Sequence, residues 1–367
     1  MFYFSIIKKI DAYIIGKYIS SFLFTMLLIS MISVVIDFSE KIHKFIDADL
    51  STLEVIKGYY LPFIPWINGL MWPLFSLIAV IFFTSRLAKN TELLAILSSG
   101  VSFNRILVPY ITAASILATI FWFGKNHIIP YSNKVKNDFE YEYLTKKHLK
   151  TRNSDVHFFL GPNEKVHNKY YSKRDTSVRG FRIETFEDGK LVKVLKAKKL
   201  VFKEAPNRWT IKDYEVRTFN GLEETLLVEA KVEKDTTLNM TPSDFIQNLK
   251  EMENMTTGDL KEFIEREKDK GLGASKSFLI QLHQRNSEPF SIIILTIIGA
   301  AIASRKVRGG MGLHLAIGVT LGAAFVIITQ FSATFSNNLS LSPALGAWLP
   351  NILFGMIAAV LVIKSQK

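Results

Sequence analysis

The chain has 367 residues, of which 49% are hydrophobic and 21% are charged, and its formal net charge is +12. The hydrophobic share is too high for an ordinary soluble domain, and the charged share excludes a protein that lies in the membrane throughout. Apolar residues concentrate towards the two ends of the chain and polar residues in its middle. The sequence therefore predicts a membrane part, a soluble domain and a second membrane part.

Six apolar segments are candidates for membrane-spanning helices, because about 20 such residues cross ~30 Å of hydrocarbon. They are residues 13–36, 60–84, 106–123, 290–303 with an upstream extension to 279, 313–335 and 345–363. A cleaved signal peptide is the competing interpretation of the first segment, but its apolar run is too long and no Ala-x-Ala motif follows it. An even number of spans places both termini on one side of the membrane.

Lysine and arginine in short loops indicate the cytoplasmic side, where positive residues are retained. They occur before the first span, between the second and third, between the fourth and fifth, and after the sixth: Lys8, Lys9, Lys17, Arg86, Lys89, Arg105, Arg305, Lys306, Arg308, Lys364 and Lys367. Residues 336–343, between the last two spans, carry no charge. The bias predicts cytoplasmic termini and an outer central domain. It also accounts for much of the basic excess, so no nucleic-acid partner is predicted.

The middle of the chain alternates polar and apolar residues in short runs, which is typical of half-buried strands. The runs are 156–160, 165–172, 178–187, 191–203, 208–219 and 224–232, with turn motifs at 161–163, 188–189, 206–207 and 220–221. Strands at this spacing predict a small sandwich or jelly roll. Motifs that begin at Thr241 and Thr256 predict two helices leading back to the membrane. The chain has no cysteine, so this domain uses no disulfide.

The predicted fold class is therefore an α-helical membrane protein with six transmembrane helices and an inserted periplasmic β-jelly-roll-like domain. We assign spans one to three to residues 1–128, with a cytoplasmic helix at about 90–100. The β domain takes 129–240 and a helical connection takes 241–276. Spans four to six take 277–367.

Motifs for catalysis are missing from the sequence. It has no G-x-x-x-x-G-K-[ST] phosphate loop, and residues 271–277 (GLGASKS) lack that spacing. The seven histidines form no metal-ligand pair, and no serine lies in a G-x-S-x-G turn. We predict no catalytic residue, no metal and no cofactor, and expect a separate partner to hydrolyse any ATP.

Residues 86–100, between the second and third spans, predict a compact helix that Asn90 or Thr91 begins and Gly100 ends. Glu92 falls in its first turn, where a carboxylate suits the helix dipole. The alternative is a coupling helix that docks its apolar face into a groove of an ATPase while Glu92 pairs with a basic residue there. The residues expected to couple are Arg86, Glu92, Leu93 and Leu97.

Three segments resemble, in order and loop content, the LptF/LptG (YjgP/YjgQ) lipopolysaccharide export permease family: RLAKNTELLAILSSGVSFNRILVPY, QLHQRNSEPFSIIILTIIGAAIASRKVRGG and ALGAWLPNILFG. The N-terminal IDAYIIGKYISSFL and the short total length are more like LptG than LptF. The resemblance covers essentially the whole chain. It matches Glu92 to the family's coupling-helix glutamate and Arg285 to an arginine before the fourth span.

The resemblance implies a transport subunit in a bacterial inner membrane. It would pair with a homologous LptF-like permease and a dimeric LptB-like ATPase to extract lipopolysaccharide from that membrane. LptC-like and LptA-like periplasmic jelly-roll proteins would then receive the lipid. Two rival functions remain: a permease or mechanical transmitter for another lipid or a lipoprotein, and a membrane scaffold without a transport cycle.

A lipid with a phosphorylated head needs cations at the outer rim of its site and apolar residues for its acyl chains. We expect the rim to contain Lys41, Lys44 and Arg285 and the acyl site to contain Phe63, Trp66, Phe75, Phe325 and Phe331. Relatives carry a lysine where this chain has Asp37. Ion pairs of Asp37 with Lys41 and of Glu40 with Lys44 are the alternative at i,i+4 spacing. Packing between helices is the alternative for the aromatic residues.

Overall fold

A computed structural model describes residues 8–144, 154–172, 175–205, 207–242, 251–269, 276–304, 310–338 and 341–365. Arg305, Lys306, Arg308 and Lys367, which entered the topology prediction, lie outside the described residues. The chain divides into two compact units. The helical unit takes Met1–Leu144, Glu253–Leu260 and Lys276–Lys367, and the sheet unit takes Thr145–Met252 and Lys261–Ser275.

Eleven α-helices and three π-helical segments occur among the described residues. The α-helices are α1 Lys9–Asp47, α2 Thr52–Val55, α3 Leu61–Lys89, α4 Glu92–Ser98, α5 Phe103–Phe123, α6 Ile129–Phe139, α7 Glu251–Asn254, α8 Thr257–Asp269, α9 Lys276–Ala303, α10 Gly310–Asn338 and α11 Pro343–Ser365. The π-helical segments are π1 Ile56–Tyr60, π2 Gly124–Ile128 and π3 Glu140–Leu144. Within the described chain, six helical stretches are long and apolar enough to cross a membrane: Lys9–Asp47, Thr52–Lys89, Phe103–Leu144, Lys276–Ala303, Met311–Asn338 and Pro343–Ser365. The six predicted spans are confirmed.

The third span continues without a break through π2, α6 and π3 to Leu144. We expected the outer domain to begin at 129, shortly after the third predicted span. In the structure Asn133 and Lys136 are buried within the helical unit. Tertiary packing thus covers polar residues that the sequence pattern assigns to solvent.

Helices α3 and α9 form the centre of the helical unit. The two helices approach each other closely where α9 has a glycine. A methyl group at Gly299 of α9 would overlap the Val80 side chain of α3. Gly318 of α10 similarly faces Ile81. Helix α1 is the least covered span, since only 11% of its most apolar window is buried, against 56% for the span containing α3.

The sheet unit contains one antiparallel sheet of six strands in the order β1-β2-β3-β4-β5-β6. The strands are β1 Ser154–Gly161, β2 Glu164–Ser172, β3 Ser177–Glu187, β4 Lys190–Glu204, β5 Arg208–Asn220 and β6 Glu223–Thr237, so each predicted strand is confirmed. Its apolar core is built around Trp209, whose indole N–H donates to the Met240 carbonyl at 3.0 Å. Strand β6 has no buried residue and is hydrogen-bonded only to β5 among the described strands. The predicted fold class, a helical membrane protein with an inserted β domain, is confirmed.

Candidate functional site

Helix α4 is the compact helix predicted between the second and third spans. Thr91 precedes it with φ +63°, an uncommon left-handed conformation for a β-branched residue, and its side chain does not cap the helix. Gly100 follows it with φ +88°, which glycine adopts at little cost. Helix α4 therefore lies between two backbone turns that separate it from α3 and α5.

The two faces of α4 differ from the sequence expectation. Leu93 is 2% exposed and Leu97 is partly buried, and both pack into the core of the helical unit. Leu94 is 61% exposed, and Arg86 at the end of α3 is exposed as well. The apolar residue that α4 presents outward is therefore Leu94, which sequence reasoning missed. The spacing could have indicated this, because residues at i and i+4, such as Leu93 and Leu97, share one face of a helix and Leu94 lies on another.

Glu92 is held by two hydrogen bonds. The Tyr13 hydroxyl of α1 donates to Glu92 Oε2 at 3.1 Å, and Asn90 Nδ2 donates to Oε1 at 3.2 Å. Each carboxylate oxygen of Glu92 thus accepts one hydrogen bond. A carboxylate can accept about four, so Glu92 can accept more. The side chain is partly exposed and can still bind an external cation.

Asp11 and Arg105 connect the beginnings of α1 and α5. Two guanidinium nitrogens of Arg105 donate to the two carboxylate oxygens of Asp11, at 2.8 and 2.6 Å. The same carboxylate accepts from the Lys8 backbone N–H at 3.2 Å, in the first turn of α1. This forked geometry fixes orientation as well as distance. Sequence reasoning did not find this pair, since the partners lie 94 positions apart.

Lys41 lies in a charged cluster at the opposite end of α1. Its ammonium group is 2.9 Å from both Asp37 and Glu140, and it also donates to the Tyr59 hydroxyl. The predicted Asp37–Lys41 pair is therefore present, and Glu140 of π3 is an additional partner that the sequence did not indicate. Lys44 is exposed, and it forms no ion pair with Glu40 within 4.0 Å in the described chain.

Arg285 lies inside the helical unit and is 1% exposed. Its guanidinium donates to Thr257 Oγ1 at 2.9 Å and to the Met255 carbonyl at 2.7 Å. The Thr257 hydroxyl donates in turn to Asn126 Oδ1 at 2.5 Å. Arg285 thus attaches the beginning of α8 to α9. Arg285 therefore contacts Thr257 and Met255, whereas Lys41 contacts Asp37, Tyr59 and Glu140.

Four of the five aromatic residues expected at the acyl chains pack within this chain. Phe63 and Phe75 are buried, and the buried Phe325 makes an edge contact with Phe354 at a ring distance of 5.1 Å. Trp66 is partly buried and has the Lys136 ammonium 3.9 Å from its ring centroid. Only Phe331, at 60% exposed, faces outward.

The described residues contain no group of three or more His, Cys, Asp or Glu side chains placed to hold a metal ion. A comparison with curated proteins found no match. The family model described as "Lipopolysaccharide export system permease LptF/LptG" matches residues 12–364, which is nearly the whole chain. The match agrees with six spans interrupted by one β domain after the third. The chain belongs to the LptF/LptG family of lipopolysaccharide export system permeases.

Proposed function

We propose that this chain is the LptG-like permease subunit of an ATP-driven complex that extracts lipopolysaccharide from the inner membrane. The observation that carries the proposal is the family match over residues 12–364. The sequence has no phosphate loop of its own. The energy therefore comes from a separate ATPase, a dimer of the LptB kind, and the chain itself is a transport subunit.

The ATPase docks on α4. Leu94 supplies an exposed apolar contact and Glu92 supplies a carboxylate beside it. Arg86, in the last turn of α3, is also exposed and precedes α4 in the sequence. An exposed apolar residue next to a carboxylate suits an apolar groove that contains a basic residue. Leu93 and Leu97 support α4 from inside, so their part in coupling is to hold the helix in place.

Two surfaces suit the other partners. One apolar face of α1 is exposed in this chain, and a homologous LptF-like permease packs against it. The face includes Leu23, Phe24, Leu27 and Met31. Strand β6 exposes Leu226, Leu227 and Val228 beside an edge that no other described strand pairs with, and a strand of an LptC-like or LptA-like jelly roll can extend the sheet there. Lipopolysaccharide would pass along such a continuous sheet.

Orientation is proposed from the basic loops, with both termini cytoplasmic and the sheet unit periplasmic. Because the chain has no cysteine, single cysteines report on one position each. We expect Asn207→Cys, between β4 and β5, to react in intact spheroplasts with a membrane-impermeant thiol reagent. Asn90→Cys, beside α4, should react only after the membrane is permeabilised. Equal labelling of the two in intact spheroplasts would contradict this orientation.

For the lipid head, we propose Lys44 as the contact at the outer end of α1, since Lys41 and Arg285 have partners within the chain. Lys44→Glu should lower several-fold the lipopolysaccharide that copurifies with the complex, measured by mass spectrometry, because it replaces a cation by an anion near phosphates. Lys57→Glu is the matched control, as Lys57 is also an exposed lysine near that end of the spans. An equal loss in both variants indicates only general charge attraction. Absence of lipopolysaccharide from the wild-type complex would favour the transmitter or scaffold function.

A further inference from the structure

The first turns of α1 hold both ends of the segment that contains α4. Tyr13 donates to Glu92, the first residue of α4. Asp11 accepts from Arg105, the third residue of α5, just after that segment. Side chains thus connect α1 to the first residue of α4 and to the beginning of α5. These contacts add to the covalent connections of α4 to α3 and α5.

Helix α1 is the span that packs least against the rest of this chain. Only 11% of the residues in the most apolar stretch of α1 are buried, whereas 61% are buried in the corresponding stretch of α9. Midway along α1 the Tyr18 hydroxyl contacts Ser76 at 2.5 Å and Thr296 at 2.6 Å. An element with few buried contacts opens or shifts at lower free energy than a central one. Within this chain, α1 therefore resists displacement less than α9 does.

We propose that Tyr13 is a positioning residue that ties α4 to α1, so that displacement of α4 by the ATPase is passed to α1. The proposal rests on the function proposed above. Asp11 has a second task, because it also closes the first turn of α1 at Lys8. Tyr13 is 44% exposed and its hydroxyl donates to the carboxylate of Glu92, so removing that hydroxyl breaks this bond between the two helices with little effect on packing.

The test is a double-mutant cycle on the chain purified with its copurifying ATPase and reconstituted in liposomes containing lipopolysaccharide. The measured quantity is lipopolysaccharide removed per ATP hydrolysed. Tyr13→Phe should lower this ratio roughly 2- to 10-fold, the range expected for one lost hydrogen bond. Glu92→Ala should lower it at least as much, and the double variant should be no worse than Glu92→Ala alone. Tyr131→Phe, which alters another exposed tyrosine, on α6, is the matched control and should leave the ratio unchanged.

The outcomes separate this inference from the proposed function. If Tyr13→Phe is normal while Glu92→Ala is impaired, coupling through Glu92 stands and the Tyr13 relay is wrong. If the two effects multiply in the double variant, Tyr13 acts independently of Glu92 and the relay is again wrong. If no ATPase copurifies, or Glu92→Ala couples normally, the proposed docking on α4 fails and the relay fails with it.

Discussion

Glu92→Lys is expected to prevent ATP-driven export of lipopolysaccharide while the protein still inserts and accumulates. The new ammonium cannot accept the bonds that Tyr13 and Asn90 donate to the carboxylate. It also faces the basic residue that we expect in the groove of the ATPase. Loss of one partner from a desolvated charge pair typically costs about 2–5 kcal/mol of binding. Retention of the ATPase by the tagged permease and lipopolysaccharide export should both fall more than tenfold.

Glu187→Lys is the control for this experiment, because it makes the same charge change at an exposed residue at the end of β3. It should retain the ATPase at the wild-type level. Leu94→Ala should weaken retention without altering charge, since it removes the exposed apolar contact of α4. Normal export by Glu92→Lys would show that the carboxylate serves only to begin α4 and to bind Tyr13.

Arg285→Met is expected to lower the thermal stability of the purified protein by several degrees and to reduce export. The substitution leaves the Met255 carbonyl and the Thr257 hydroxyl without the guanidinium donor. Each buried polar group that loses its partner costs about 1–3 kcal/mol. Arg285→Lys should be intermediate, because one ammonium cannot reproduce the planar fork that reaches both acceptors. Thermal unfolding in detergent measures the effect.

Arg266→Met is the matched control, because Arg266 lies on α8 and is exposed, with Phe263 as a ring contact 5.6 Å away. Its melting temperature should stay close to that of the wild type. Equal stability of the Arg285 and Arg266 variants would mean that the bonds to α8 contribute nothing. If Arg285→Met kept wild-type stability but lost copurifying lipopolysaccharide, Arg285 would instead contact the lipid head, as the sequence suggested.

Local patterns predicted elements but assigned some surfaces incorrectly. The apolar residues of α4 were expected to face a partner, yet Leu93 is buried in this chain and Leu94 is exposed. Amphipathic spacing identifies a face and does not say what covers it. The same limit applies to Asn133 and Lys136, which the predicted boundary at 129 assigns to the outer domain and which are buried in the helical unit.

The sequence by itself determined the six spans, the six strands and the family. Spans follow from length and apolarity, strands from alternation, and each is a local property that solvent or lipid enforces. Local i,i+4 spacing predicted the Asp37–Lys41 pair, but tertiary structure alone decided the distant partners of the charged residues. Glu92 meets a residue 79 positions away, Lys41 one 99 positions away, and Arg285 one 28 positions away. No local pattern encodes which distant segment packs alongside, because that choice depends on how the helices fit together.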